Sequence, residues 1–219
     1  MLSGNRYFAV DNEFMLNLDL HSHREKFATV VIKGLASSIL KSTAISVELI
    51  QEIFGLTSHT KNKTMIREMI TGMMEKNLIE VFSDMKMTDK VSAIKNNSIY
   101  YVKADWTPPQ NSFTKIYYED VSKLVCMDEK RKDLVFAVYF NIIHRIYDSE
   151  TSPDYSWVTI DTIAKETGTN EKTVMKYISL LKEHELIYYE TISESSKKDK
   201  NYYCRWSDRE KVSMLLKEG

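Results

Sequence analysis

Thr169, Asn170, Lys172, Thr173, Lys176 and Ser179 crowd one short stretch, and Lys197, Lys198 and Lys200 follow in the next polar segment. These residue types suit nucleic acid. Lysine ammonium groups neutralise phosphates, and Lys, Asn and Thr meet base edges or phosphates in a major groove. The first half carries a comparable set: Lys61, Asn62, Lys63, Thr64 and Arg67, just after His59, then Lys86, Lys90 and Lys95 further on. Each lysine alone reads as solvated surface; the sets gain meaning only from the elements that carry them. In the first set Glu68 falls opposite the apolar stripe, where a phosphate-facing helix usually avoids a carboxylate. Gly72 with Met65, Met69, Met73 and Met74 also suggests a plastic packing surface. Dimerisation or docking of a protein partner therefore stands beside DNA reading for that half.

Other chemistries find little support. With 6 glycines the chain has no GxxxxGK or GxGxxG loop, and neither GxSxG nor HExxH occurs. Carboxylate pairs such as Glu119-Asp120 lie in charge-rich stretches with no sign of burial. His21 and His23 near Asp19 lack a second ligand pair, and His144 reads as a surface residue at a helix end. No enzyme activity, cofactor or metal is expected. The 2 cysteines, Cys126 and Cys204, read as reduced thiols. The 13 tyrosines include the pairs 100–101, 117–118, 188–189 and 202–203, each in a segment read as a half-buried strand.

The positioning elements form an approximate internal repeat. In the second copy, residues 132–147 place Leu134, Val135, Val138, Ile142 and Ile146 at helical spacing. Trp157 to Thr159 is a short strand. Residues 161–167 form a two-turn helix ended by Gly168, and Thr169-Asn170 caps a third helix over 171–184. There Val174, Ile178 and Leu181 make one buried stripe, which turns Lys172, Lys176, Ser179 and Glu183 to the opposite side with Thr173 nearby. Strands at 186–190 and 201–206 enclose a polar tip over 191–200. The first copy repeats this order with a helix over 24–41, a strand at Ala44-Ile45, and a helix from the Ser46 cap to Phe54, stopped by Gly55. Its third helix covers 62–76, with Ile66, Ile70 and Met73 inward, and strands lie at 77–81 and 98–102. The turn before that third helix is longer than its counterpart and holds Ser58-His59-Thr60-Lys61. Tyr7 to Leu16 and Thr114 to Leu124 are matching lead-in segments.

The order helix, strand, helix, turn, helix, strand, loop, strand is that of a winged helix-turn-helix. The expected fold is mainly α with small β-hairpin wings, an α+β class, in two tandem domains. Domain one is residues 1–104, and domain two is residues 113–219. A linker over 105–112 contains Pro108-Pro109, which forbids helix and offers no ladder donors. A length of 219 residues, with 43% hydrophobic and 28% charged, suits two modest cores and argues against disorder. The net charge of -1 means that any basic surface is local. Residues 1–20 lack a basic start and an apolar run, and no stretch approaches the roughly 20 residues that span a bilayer. A cytoplasmic or nuclear protein is expected, with no membrane partner.

The stretch Val158 to Tyr189, with Ile160-Asp161-Thr162-Ile163-Ala164 and Thr169-Asn170-Glu171-Lys172-Thr173-Val174, resembles winged helix-turn-helix domains of bacterial regulators. The lead-in Phe113-Thr114-Lys115-Ile116-Tyr117-Tyr118 with residues 130–145 is similar to replication initiators and replisome organisers of phages and plasmids in Gram-positive bacteria. That resemblance implies a cytoplasmic, sequence-specific binder of double-stranded DNA, at a replication origin or an operator of a mobile element. A transcriptional repressor and a winged-helix scaffold that binds protein without DNA are the alternatives. The units could read adjacent half-sites as a monomer, or a homodimer could read a longer array.

Overall fold

Capping chemistry and short apolar stripes set most of the boundaries. A computed structural model describes residues 6–36, 41–104, 112–146, 154–192 and 200–218. Strand β1 (Tyr7–Asp11) ends in an Asp11 side chain that caps α1 (Asn12–Leu16). Helix α2 (His23–Leu35) begins in a capping box, where Ser22 and Glu25 satisfy each other's backbone N–H groups. After β2 (Ser42–Ile45) come α3 (Val47–Ile53), capped by Ser46, then α4 (Thr60–Glu75), β3 (Ile79–Phe82) and β4 (Tyr100–Ala104). The order recurs through β5 (Phe113–Tyr117), α5 (Tyr118–Cys126), α6 (Lys132–Ile143), β6 (Tyr155–Trp157), α7 (Ile160–Glu166), α8 (Glu171–Glu183), β7 (Ile187–Ile192) and β8 (Lys200–Arg205). A 3₁₀ turn at Trp206–Asp208 leads into α9 (Arg209–Glu218). The chain is of the α+β class, with helices and small antiparallel sheets.

Two compact units emerge, and they do not follow the halves of the sequence. The first comprises Met1–Val10, Asp19–Asn111 and Lys115–Asp133; the second comprises Asp11–Leu18, Ser112–Thr114 and Leu134–Gly219. Thus α5 belongs to the first unit and α1 to the second. In the first, α5 packs so closely on α2 that a Cβ on Gly34 would stand 3.1 Å from Val121 Cγ1. In the second, Gly168 holds φ +59, a left-handed turn that favours glycine, with Leu18 beside it. The expected linker lies outside the described residues except for Ser112.

The two three-stranded sheets share one plan. Strand order is β2-β4-β3 in the first unit and β6-β8-β7 in the second, so the last strand is central in both. Every pairing in them is antiparallel. The first core gathers Phe27, Val30 and Val31 of α2 with Phe54, Ile66 and Ile70; the Phe27 and Phe54 rings meet edge-on at 5.3 Å. The second is built around α6, where Val135, Phe136, Val138, Tyr139, Phe140, Ile142 and Ile143 are all buried. Burial right round the helix, rather than along one stripe, marks it as a central element.

Several sequence expectations shift. Helix α2 stops at Leu35, which is 48% exposed, because the Ala36 N–H closes onto Ile32 and Lys33; Ile39 lies outside the described residues. Helix α6 ends at Ile143 rather than 147. The strand expected at 157–159 sits at Tyr155–Trp157, since Thr159 is taken up as the cap of α7. Tyr118 opens a helix instead of ending a strand. His144 is half-buried, its ring stacked on Phe140 at 5.8 Å, and Arg145 beside it holds Glu166 at 2.6 Å. Carboxylates are buried too: Asp133 receives two 3.0 Å hydrogen bonds from Arg131, and Glu25 one of 2.7 Å from Lys76. Cys126 and Cys204 form no disulfide. Among the described residues no helix is long and apolar enough to cross a membrane, and no His, Cys, Asp and Glu group could hold a metal ion.

Lys26 is the most unusual charge, at 2% exposure in the first core. Burial pushes its ammonium from the ordinary 10.5 down to about 8, against the pull of the Glu25 carboxylate. Between those two values the unfolded chain binds more protons than the folded one, so this group makes stability rise with pH there. Measured by urea unfolding at a series of pH values, the wild type should gain about 3 kcal/mol relative to Lys26→Met from below pH 8 to above pH 10. A difference that stays constant with pH would contradict this.

Candidate nucleic-acid interface

Helix α8 turns two chemically different sides to its surroundings. Its first turn is capped by Asn170, whose Oδ1 accepts from the Thr173 N–H at 2.9 Å. Val174, Tyr177, Ile178 and Leu181 are buried, and α7 and β7 pack against the helix. At about 100° per residue the opposite side carries Lys172, Met175, Lys176 and Ser179, and all four are exposed. Thr173 and Thr169 are half-buried at its edge. Lys176 reaches over the Tyr177 ring at 5.3 Å, and the Ser179 hydroxyl donates to the Met175 carbonyl at 3.1 Å. Glu171 and Glu183 are the exposed carboxylates of this helix, one at each end, so the lysines lie between them.

Beside α8 stands the β7–β8 hairpin. Lys200 opens β8 and places its Nζ 5.3 Å over the ring of Trp157, which is 56% exposed on β6. Lys197 and Lys198 lie outside the described residues. The sequence reading passed over both Met175 and Trp157. The helical projection that singled out Lys172 and Ser179 places Met175 beside them, and attention to polar residues alone hid it.

The corresponding helix of the first unit is engaged differently. Thr60 and Lys61, expected in the turn, form the first turn of α4, so only six residues separate α3 from α4, against four between α7 and α8. Lys61 is exposed. The Asn62 amide is spent on the turn, donating to the Thr57 carbonyl at 2.8 Å, where buried Gln51 also donates at 2.6 Å. Lys63 is paired with Glu48 at 2.9 Å, and Lys90 with Glu80 at 2.9 Å. Lys86 and Lys95 are exposed on the loop between β3 and β4. That loop is ordered by Asp84, which accepts from the backbone N–H groups of Thr88 and Asp89. Those bonds hold the Asp84 carboxyl below its ordinary value, Asp89 contributing most.

Thr64 and Arg67 line a cleft of about 450 Å³ between the outer side of α4 and the loop, together with Glu68, Thr71, Glu75 and Ile94. Arg67 donates to the Thr64 hydroxyl at 3.4 Å, while its buried Nε has no hydrogen-bond partner among the described residues. The outer side of α4 is therefore partly walled by its own loop, while among the described residues Lys172, Met175, Lys176 and Ser179 of α8 are exposed.

No known family model and no curated protein matches the chain.

The Asn170 cap orients the start of α8, and its loss is measurable. Asn170→Ala should cost about 1 kcal/mol in urea unfolding, whereas Asn170→Asp keeps the capping oxygen and should lose little of that stability. Equal losses in both variants would show that the cap contributes nothing.

Proposed function

We propose that the chain is a sequence-specific duplex-DNA-binding protein built of two winged helix-turn-helix units, without a catalytic step of its own. The observation that carries this reading is the exposed polar side of α8, bearing Lys172, Lys176 and Ser179 directly opposite its buried stripe. A capped helix with an exposed cationic side has the dimensions and donors to lie in a major groove, N-terminal half first. Lys200, which pairs with Ile192 at the loop end of the β7–β8 ladder, and Lys197 and Lys198 just before it in the sequence suit the phosphates beside that groove. The shared element order and strand order of the two units support a winged-helix reading of both. The setting we favour is origin binding by a replication initiator of a mobile element in the cytoplasm. An operator-binding repressor uses the same surface.

A second reading concerns the first unit. Lys63 and Lys90 are already neutralised, and the outer side of α4 faces a cleft containing Glu68 and Glu75. These features favour docking of a protein partner, or of a second copy, over DNA reading there.

Gel retardation on random duplex pools at low salt tests the main reading. Retarded complexes are expected, with affinity falling steeply as salt rises. Lys197→Ala with Lys198→Ala should weaken binding to all sequences and reduce the slope of log K against log salt by about two. Lys176→Ala should instead change which sequences are preferred. A chain that retards no duplex at low salt ends the reading. A stoichiometric protein partner recovered with no DNA would favour the scaffold alternative for the whole chain.

A further inference from the structure

Met175 is 59% exposed in the midst of an otherwise polar surface, with Lys172 and Ser179 as its helical neighbours at i−3 and i+4. Nothing in the folding of the second unit requires an apolar side chain there, because the core stripe on α8 is complete without it. A long, flexible thioether left in water gains from contact with an apolar surface on whatever covers the helix. In the major groove each base pair offers polar edges, and the one apolar group among them is the C5 methyl of thymine.

Resting on the reading of α8 as the groove-facing helix, we propose that Met175 makes the duplex site thymine-dependent by packing on a thymine C5 methyl. The neighbouring groups divide the remaining work. Lys172 and Lys176 flank Met175 and supply donors for phosphates or for the O6 and N7 of guanine. The Ser179 hydroxyl is turned back to the Met175 carbonyl, so it holds the backbone at this point rather than projecting outward. Asn170 has its Oδ1 occupied by the Thr173 N–H, which leaves its NH₂ to donate. Among the exposed residues of this side between Lys172 and Ser179, Met175 is the one with an apolar side chain.

The test begins with a duplex selected by the wild-type chain from a random pool. Thymines of that duplex are then replaced one at a time by deoxyuridine, which removes the methyl and leaves every hydrogen-bonding group in place. At one or two positions the wild type should lose roughly fourfold in affinity, the value of burying one methyl-sized group. Met175→Ala should lose a similar factor on the thymine duplex and respond to uracil nowhere. Met175→Leu should keep the discrimination. The substitution sits on an exposed helix position where Ala is a good helix former, so the fold is retained; circular dichroism confirms that before binding is measured. If the selected duplex tolerates uracil throughout, or if Met175→Ala keeps the wild-type response, the methyl contact is wrong while DNA binding stands. If no duplex is selected at all, the reading of α8 fails and this proposal falls with it.

Discussion

Burial of Val174, Tyr177, Ile178 and Leu181 on one side of α8 governs everything else about the second unit's surface. Each such side chain contributes roughly 1.5–3 kcal/mol when removed from water, far more than any single surface contact. The stripe fixes the rotation of the helix about its axis, and rotation decides which residues meet solvent. Lys172, Met175, Lys176 and Ser179 are outward because the helix has no cheaper way to lie. The Asn170 cap and the left-handed Gly168 then fix where the helix begins and the direction from which the chain approaches it.

The two units apply the same element order to different ends. In the second, Lys172, Met175, Lys176 and Ser179 on the outer side of α8 are exposed. In the first, the loop between β3 and β4 is folded by Asp84 and reaches the outer side of α4, and ion pairs to Glu48 and Glu80 occupy two of the lysines.

Much of the second unit was legible in the sequence. Its helix spacing, the Gly168 stop and the Asn170 cap are local signals, and α8 begins at Glu171, as these signals require. Element ends set by a single local hydrogen bond were less so. Strand β6 came two residues early because Thr159 caps α7, and α2 lost its last turn to a local closure at Ala36. The helix α9 carries a weaker pattern and went unread. The assignment of α5 to the first unit and α1 to the second is a long-range property that no spacing reveals. Lysine identities pointed to a cationic surface, yet only coordinates separate Lys172, which is open, from Lys63, which is paired. Lys26 illustrates the same limit: nothing in its neighbourhood in the sequence announces a buried ammonium.

The most direct measurement is an NMR titration of isotope-labelled protein with a selected duplex, following backbone amides and methionine methyls. The account predicts that the largest shift changes fall on residues 169–179 and on the Met175 methyl, with smaller ones near Lys200. Changes confined to α4 and its cleft, or changes that leave α8 untouched while DNA is bound, would contradict it.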